Sequence, residues 1–172
     1  HESMTEDQIK MALEHLKNLP FVKEHKWVIQ LLIENEKRYV LVLGNLGEVL
    51  DSQRKPITKT DRNEGPYPYY GASGVVDYVA EYIFDEPLVL VGEDGAKWGR
   101  GDSTAFSISG KTWVNNHAHV LRPNRSCVLD SYLVYFLTVT DLNEYITGMT
   151  VPKLNQARLV SIPVALPPLA EQ

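Results

Sequence analysis

The sequence has a single cysteine, Cys127, among its 172 residues. One thiol excludes an internal disulfide framework and a zinc site built from several cysteines, and it is typical of a reducing cytosolic setting. No apolar run approaches the roughly 20 residues that a membrane span requires. The first residues lack the basic region and apolar core of a secretory signal. We therefore predict a cytoplasmic protein that does not contact a membrane.

Sequence patterns that carry covalent chemistry are also missing. Residues 71–74 (GASG) have the wrong spacing for the serine elbow of a hydrolase and lack the downstream lysine of a phosphate loop. Pro167 and Pro168 follow a leucine, whereas an amino-methyltransferase has Asn or Asp before its two prolines. We predict that the chain does no covalent chemistry and needs no cofactor.

A metal centre is the catalytic alternative. His117 and His119 lie two positions apart, so on a strand both imidazoles would point to one face. Glu93 or Asp94 could then supply a further ligand. The more frequent roles are structural, with histidines making polar contacts and adjacent carboxylates accepting backbone N–H groups in a turn. A metal-dependent hydrolase using His117 and His119 stays open as a hypothesis from a different functional class.

The net charge of −5 does not favour a domain that binds nucleic acid by its overall charge. Two turn-rich windows are nevertheless locally basic, residues 51–62 and residues 97–111. The second begins with a glycine-rich segment, residues 97–102, in which we expect Trp98 to be exposed on a mobile loop. Cations in such loops can contact phosphates or guanine edges. Trp113, in contrast, is predicted to pack in the core.

Hydrophobic periodicity divides the chain near residue 38. Residues 1–38 have helical spacing and predict an N-terminal helical extension made of a helical pair. From residue 39 the pattern predicts strands at residues 39–43, 74–79, 88–91, 104–108 and 118–122. Ser109 and Gly110 are interpreted as a hairpin turn, and Asp130 and Asn155 as helix N-caps. The fold class is therefore α+β, with a twisted, largely antiparallel β-sheet core and flanking helices.

Several segments together resemble a known family. They are residues 46–49 (LGEV), 67–74 (YPYYGASG), 92–95 (GEDG), 113–121 (WVNNHAHVL), 151–155 (VPKLN) and 166–172 (LPPLAEQ). In this order and spacing they resemble the target recognition domain of type I restriction-modification specificity (S) subunits. The resemblance covers residues 39–172 and implies a DNA target recognition domain that ends in the first turn of a spacer helix.

The resemblance implies that this subunit reads double-stranded DNA while other subunits do the chemistry. The implied partners are the methyltransferase (modification) subunits and the restriction subunit of the complex. A full specificity subunit carries two recognition domains joined by spacer helices, and each reads half of a split site. This chain has one recognition domain, so we expect an isolated domain or a half-length subunit. Its partner would be a second recognition domain or a second copy of the chain in a homodimer. A recognition domain of a single-chain restriction-methylation enzyme is the alternative of the same class.

The resemblance also divides the residues between two roles. The glycine loops are assigned to the framework, with Tyr70, Gly71, Gly74, Gly92 and Gly95 shaping the sheet. DNA contacts are assigned to the variable loops and to the segment before residue 155. The predicted DNA-binding residues are Arg54, Lys55, Lys59, Arg62, Lys97, Trp98, Arg100, Lys111 and Lys153.

Overall fold

The structure is a computed structural model that describes residues 39–172. The predicted helical pair of residues 1–38 lies outside the described residues. The strands are β1 (Tyr39–Val42), β2 (Gly47–Val49), β3 (Tyr67–Gly71), β4 (Gly74–Val79), β5 (Phe84–Asp85), β6 (Leu88–Gly92), β7 (Ala105–Ile108), β8 (Lys111–Val114), β9 (Ala118–Pro123) and β10 (Pro163–Leu166). The α-helices of this part are α1 (Asp130–Val139) and α2 (Gln156–Val160), and neither has the length and apolar character to cross a bilayer.

The strands form three sheets. The central sheet has the order β2-β9-β6-β7 and is antiparallel throughout. A second sheet has the order β4-β3-β8-β5, in which β3 and β8 run parallel. β1 and β10 form a separate antiparallel pair. The predicted α+β class with mostly antiparallel pairing is confirmed, but the strands are shared among three sheets.

The central sheet is buried on both faces. Val89 and Val91 on β6 point toward α1, where Leu133 and Leu137 complete the larger core. Leu88 and Leu90 alternate with them and pack against the second sheet in a smaller core with its own set of aliphatic residues. This two-sided burial explains why β6 is a continuous apolar run without polar alternation.

A loop, residues 54–63, covers the outer face of the second sheet. Tyr69, Val79 and Trp113 form a small buried cluster there, with Ile57 of the loop packed against it. The backbone N–H of Ile57 donates to the Tyr69 hydroxyl at 3.0 Å, and the Trp113 indole N–H donates to the Lys55 carbonyl at 2.6 Å. Buried Trp113 confirms the core role expected of it, and the loop is fastened to a sheet.

The two glycine loops singled out in the sequence meet in space. A Cβ on Gly92 would lie 2.4 Å from the Ala96 Cβ and 3.0 Å from the Ala72 carbonyl oxygen. Gly74, in the β3–β4 turn, has a φ of +132°, which L side chains rarely adopt. These constraints are those of a framework position, so they support the role that the resemblance gave to the glycines.

Two local predictions are wrong. Ser109 and Gly110 do not form a hairpin turn, because β7 pairs with β6 while β8 pairs with β3 and β5. Asp130 is the first residue of α1, and the N-cap is Leu129, whose apolar side chain makes no capping hydrogen bond. Residues 169–171 form a turn in which Glu171 N–H donates to Pro168 O, and the start of a spacer helix there stays a prediction. Asn155 is confirmed as the N-cap of α2 and accepts from Arg158 N–H.

We predict that Tyr69→Phe lowers the free energy of unfolding by about 1 kcal/mol, because the Ile57 N–H loses its acceptor in a part-buried setting. Urea unfolding measures the change, and amide exchange of Ile57 should accelerate in the variant. Tyr78→Phe is the matched control, since Tyr78 is exposed on neighbouring β4. Equal exchange of the Ile57 amide in both variants would show that the hydroxyl does not hold the loop.

Candidate nucleic-acid interface

Five charged side chains from distant parts of the sequence meet at one end of the central sheet. They are Asp51, Arg54, Glu93, His119 and Lys153, which we call the ion-pair hub. Glu93 binds the Arg54 guanidinium through Oε2 and the Lys153 ammonium through Oε1, the latter at 2.7 Å. Asp51 binds Arg54 at 3.2 Å and the His119 Nδ1 at 2.6 Å. The hub therefore links the end of β6, the start of β9 and two loops.

His119 is fully buried, and both ring nitrogens have partners. Nδ1 faces the Asp51 carboxylate at 2.6 Å, and Nε2 lies 2.6 Å from the Leu154 carbonyl oxygen. Each ring nitrogen therefore faces an oxygen atom that accepts hydrogen bonds. This is a structural histidine, as the more frequent role predicted.

The hub also controls the protonation of its carboxylates. Burial works to raise the pKa of Asp51, but the hydrogen bond and charge of His119 and the charge of Arg54 outweigh it, and the pKa is lowered. Burial likewise works to raise the pKa of Glu93, and hydrogen bonds from Lys153 and Arg54 lower it. Both groups are therefore held as carboxylates at neutral pH.

The expected metal geometry is not found. His117 precedes β9 in a turn and is half exposed, with its Nδ1 bound to Asp94, so it does not share a strand face with His119. Ligand atoms of Asp51, Glu93 and His119 do lie within 4.8 Å of one another, but Arg54 and Lys153 already neutralise their oxygens. The backbone N–H bonds expected for the carboxylates of Glu93 and Asp94 are not what the structure has, because these carboxylates pair with the side chains of Arg54, Lys153 and His117.

Two predicted DNA-binding residues lie inside the protein. Trp98 is only 7% exposed, and its indole N–H donates to the Gly92 carbonyl at 3.0 Å, so the expected exposure is wrong. The Arg54 side chain is 12% exposed and donates to the Ala118 carbonyl at 2.7 Å besides its two ion pairs. Both residues hold loops in place, and neither presents its polar group to solvent.

Two further cations of the predicted set are partly engaged. Arg62 bonds Asp77 at 2.9 Å and lies 4.5 Å above the Tyr69 ring. The Lys111 ammonium lies 4.8 Å from the centre of the Tyr82 ring. These groups lie on or beside the second sheet and have intramolecular roles as well as partial exposure.

Lys55, Lys59, Lys97 and Arg100 are exposed and form no ion pair with another residue of the range 39–172. Lys55 and Lys59 lie on the loop over the second sheet. Lys97 and Arg100 lie on the loop after β6, which is anchored because Leu142 N–H donates to Trp98 O at 2.9 Å and Gly101 N–H donates to Thr138 O at 2.7 Å. The expected mobile loop is therefore fixed to the region around the end of α1.

Sequence reasoning missed Asp51 as the partner of His119, as well as the hub itself. No local signal marks it, because the hub's members are spread from position 51 to position 153. The sequence offers one indirect clue. Two adjacent acids, Glu93 and Asp94, follow the apolar strand that ends at Gly92, and carboxylates at the end of a buried strand need cations nearby.

A family profile described as "Type I restriction modification DNA specificity domain" matches residues 36–172. A putative type I restriction enzyme specificity subunit of Haemophilus influenzae is 30% identical over 151 residues, which are 88% of this chain and 39% of that protein. The EcoprrI type I restriction enzyme specificity subunit of Escherichia coli is 26% identical over 106 residues, 62% of this chain and 25% of that protein. The chain thus spans well under half the length of these relatives.

Solved structures share the fold. The type I restriction-modification S subunit from M. genitalium superimposes with a TM-score of 0.60 at 16% identity, covering 94% of this chain and 41% of that one. The HsdS subunit from Thermoanaerobacter tengcongensis gives a TM-score of 0.54 at 13% identity, covering 96% and 46%. At these identities the likeness concerns the fold.

We predict that Asp51→Asn lowers the free energy of unfolding at pH 7 by about 3 kcal/mol, because it leaves buried cations without their counter-charge. The folded-state pKa of Asp51 is lowered, so its contribution is complete above the ordinary value of 3.8 and is lost as the pH falls through the lowered one. The stability gap between wild type and variant should therefore shrink in acid.

Urea titrations at pH 7 and at pH 3 measure this gap. Glu48→Gln is the matched control, since Glu48 pairs with Arg122 at an exposed site and its loss should change stability little. A gap for Asp51→Asn that stays constant between the two pH values would contradict the role assigned to its carboxylate.

Proposed function

The chain belongs to the type I restriction-modification DNA specificity domain family, and from this premise we propose that it recognises one half of a split, asymmetric site in double-stranded DNA. The observation that carries the proposal is the family match over residues 36–172. The exposed cations on anchored loops support it, because fixed positive groups suit a duplex of fixed phosphate spacing.

The proposal includes a division of labour. This chain is the non-catalytic, DNA-reading component, and it directs methyltransferase and restriction subunits that carry out modification and cleavage. Because the chain covers 39% of the Haemophilus influenzae relative, we also propose a second recognition domain, supplied by a longer chain or by a second copy through a spacer helix. Both curated relatives are specificity subunits, which favours this over a single-chain restriction-methylation enzyme.

A cytoplasmic location is part of the proposal, supported by the lone thiol.

Within this proposal the four exposed cations contact phosphates. Lys55 and Lys59 serve one group of contacts, and Lys97 and Arg100 serve another. Each contact releases counterions, so affinity falls with salt, and with a net charge of −5 the chain alone binds weakly. The remaining DNA contacts come from the partners, so the domain does not need to be basic overall.

Selection from a random-sequence duplex pool tests the proposal. The chain, alone at about 50 mM salt and together with a reconstituted methyltransferase, is incubated with the pool, and bound duplexes are sequenced. We expect enrichment of one short defined sequence, extended in the reconstituted enzyme to a two-part site. A pool that stays random in both experiments would refute sequence-specific recognition.

We predict that Lys97→Gln/Arg100→Gln weakens binding to the selected duplex several-fold. Each lost phosphate contact lowers the slope of log affinity against log salt by about 0.9, so the double variant should lose about 2 from the slope. Fluorescence anisotropy titrations at four salt concentrations give both quantities.

Arg122→Gln/Arg125→Gln is the matched control for that prediction. It removes the same charge from two exposed arginines that pair with Glu86 and Asp130. The control should leave the slope within about 0.5 of wild type, since neither residue belongs to the predicted contacts. An equal loss of slope in both double variants would mean that only overall charge matters.

A further inference from the structure

Residues 147–153 form a projecting loop that we call the finger. Its base is closed because Thr147 N–H donates to Lys153 O at 2.9 Å and Lys153 N–H donates to Thr147 O at 2.8 Å. The Asn155 amide adds a hydrogen bond to the Thr147 hydroxyl at 3.1 Å. Gly148 has a φ of +89°, and a Cβ there would lie 2.4 Å from the Val151 carbonyl oxygen. The finger is therefore a tightly closed turn held at its base.

The tip of the finger is apolar and in water. Met149 is fully exposed at 103%, and Val151 is 64% exposed. An apolar pair at the tip of a closed turn contributes nothing to the core, yet its exposure is unfavourable. Methionine is a common side chain at adaptable binding surfaces because its thioether chain fits irregular contours. The tip thus has the character of a contact made with another molecule.

The finger carries a cation at its base, and this cation indicates which molecule the tip contacts. Lys153, at the base, has its side chain 41% exposed although it also binds Glu93. It forms a β-bridge with Asp94, whose carboxylate lies 4.0 Å from the Lys153 ammonium, and Lys97 is exposed on the loop that follows Asp94. An apolar tip with a partly exposed lysine at its base suits a DNA groove, where base edges lie between two rows of phosphates.

We propose that the finger inserts its tip into a groove of duplex DNA, with Met149 and Val151 against base edges and Lys153 and Lys97 at the flanking phosphates. The inference rests on the proposed DNA recognition and deepens it. The ammonium of Lys153 has three donors, so it keeps Glu93 while it reaches a phosphate. In this arrangement the hub sets the position of the finger, since Glu93 holds its base.

The test is Met149→Ser/Val151→Ser in the full chain, titrated by anisotropy against the duplex selected from the random pool. We expect binding weaker by about tenfold at every salt concentration, with the salt slope unchanged, because apolar contacts release no counterions. This signature separates the finger from Lys97→Gln/Arg100→Gln, which lowers the slope. Leu129→Ser/Tyr135→Ser is the matched control, since it removes two exposed large side chains, one just before α1 and one within it. This control should bind DNA as wild type does.

A second variant, Gly148→Val, keeps both tip side chains but cannot close the turn, and it should weaken DNA binding to a similar extent. Thermal unfolding of each variant establishes that the domain is folded. Wild-type DNA affinity in Met149→Ser/Val151→Ser overturns the inference. If that variant also fails to bind the methyltransferase subunit, the finger is a contact with protein instead of DNA. If wild-type protein selects no sequence, the proposed function itself fails; if it selects one and the variant binds equally well, only the finger is excluded.

Discussion

The Glu93 carboxylate binds two cations that come from opposite sides of it in the sequence, Arg54 and Lys153. Burying such a carboxylate without partners is strongly unfavourable, so the sheet end is stable only when both cations arrive. Asp51 and His119 extend the same requirement to the start of the central strand β9. These contacts join three loops that are far apart in the sequence, and the positions of the three loops depend on them.

Those three loops are the ones that present exposed cations. Lys55 follows Arg54 directly, Lys97 follows Glu93 by four residues, and Lys153 belongs to the hub itself. A ligand surface whose groups are fixed before binding loses less conformational entropy when it binds. The buried charges thus determine where the exposed charges are, which links the stability of the fold to the geometry of recognition by a type I specificity domain.

Much of the fold could be predicted from the sequence, since β4, β6, β7 and β9 have the apolar patterns of strands. β3 and β8 were missed because Pro68 and Lys111 interrupt their patterns, and they form strands through pairing across the sheet. Turn chemistry at Ser109 and Gly110 indicated a reversal but not which sheet the next strand joins. The sequence identified the cations but could not separate buried Arg54 from exposed Lys55, because the partners of Arg54 are up to 64 positions away. Glycines near Trp98 suggested exposure, whereas the ring is buried and its indole N–H donates to the Gly92 carbonyl.

The loop over the second sheet is attached partly through its own main chain. Its fastening atoms are the Lys55 carbonyl and the N–H and carbonyl of Ile57, while the matching side chains, Tyr69 and Trp113, belong to the sheet. Peptide groups are the same whatever residue carries them, so the side chains at Lys55 and Lys59 are free to change without loss of this attachment. A lineage under pressure to recognise new DNA could therefore substitute these positions singly, each intermediate remaining folded, and so acquire a new specificity on an unchanged scaffold.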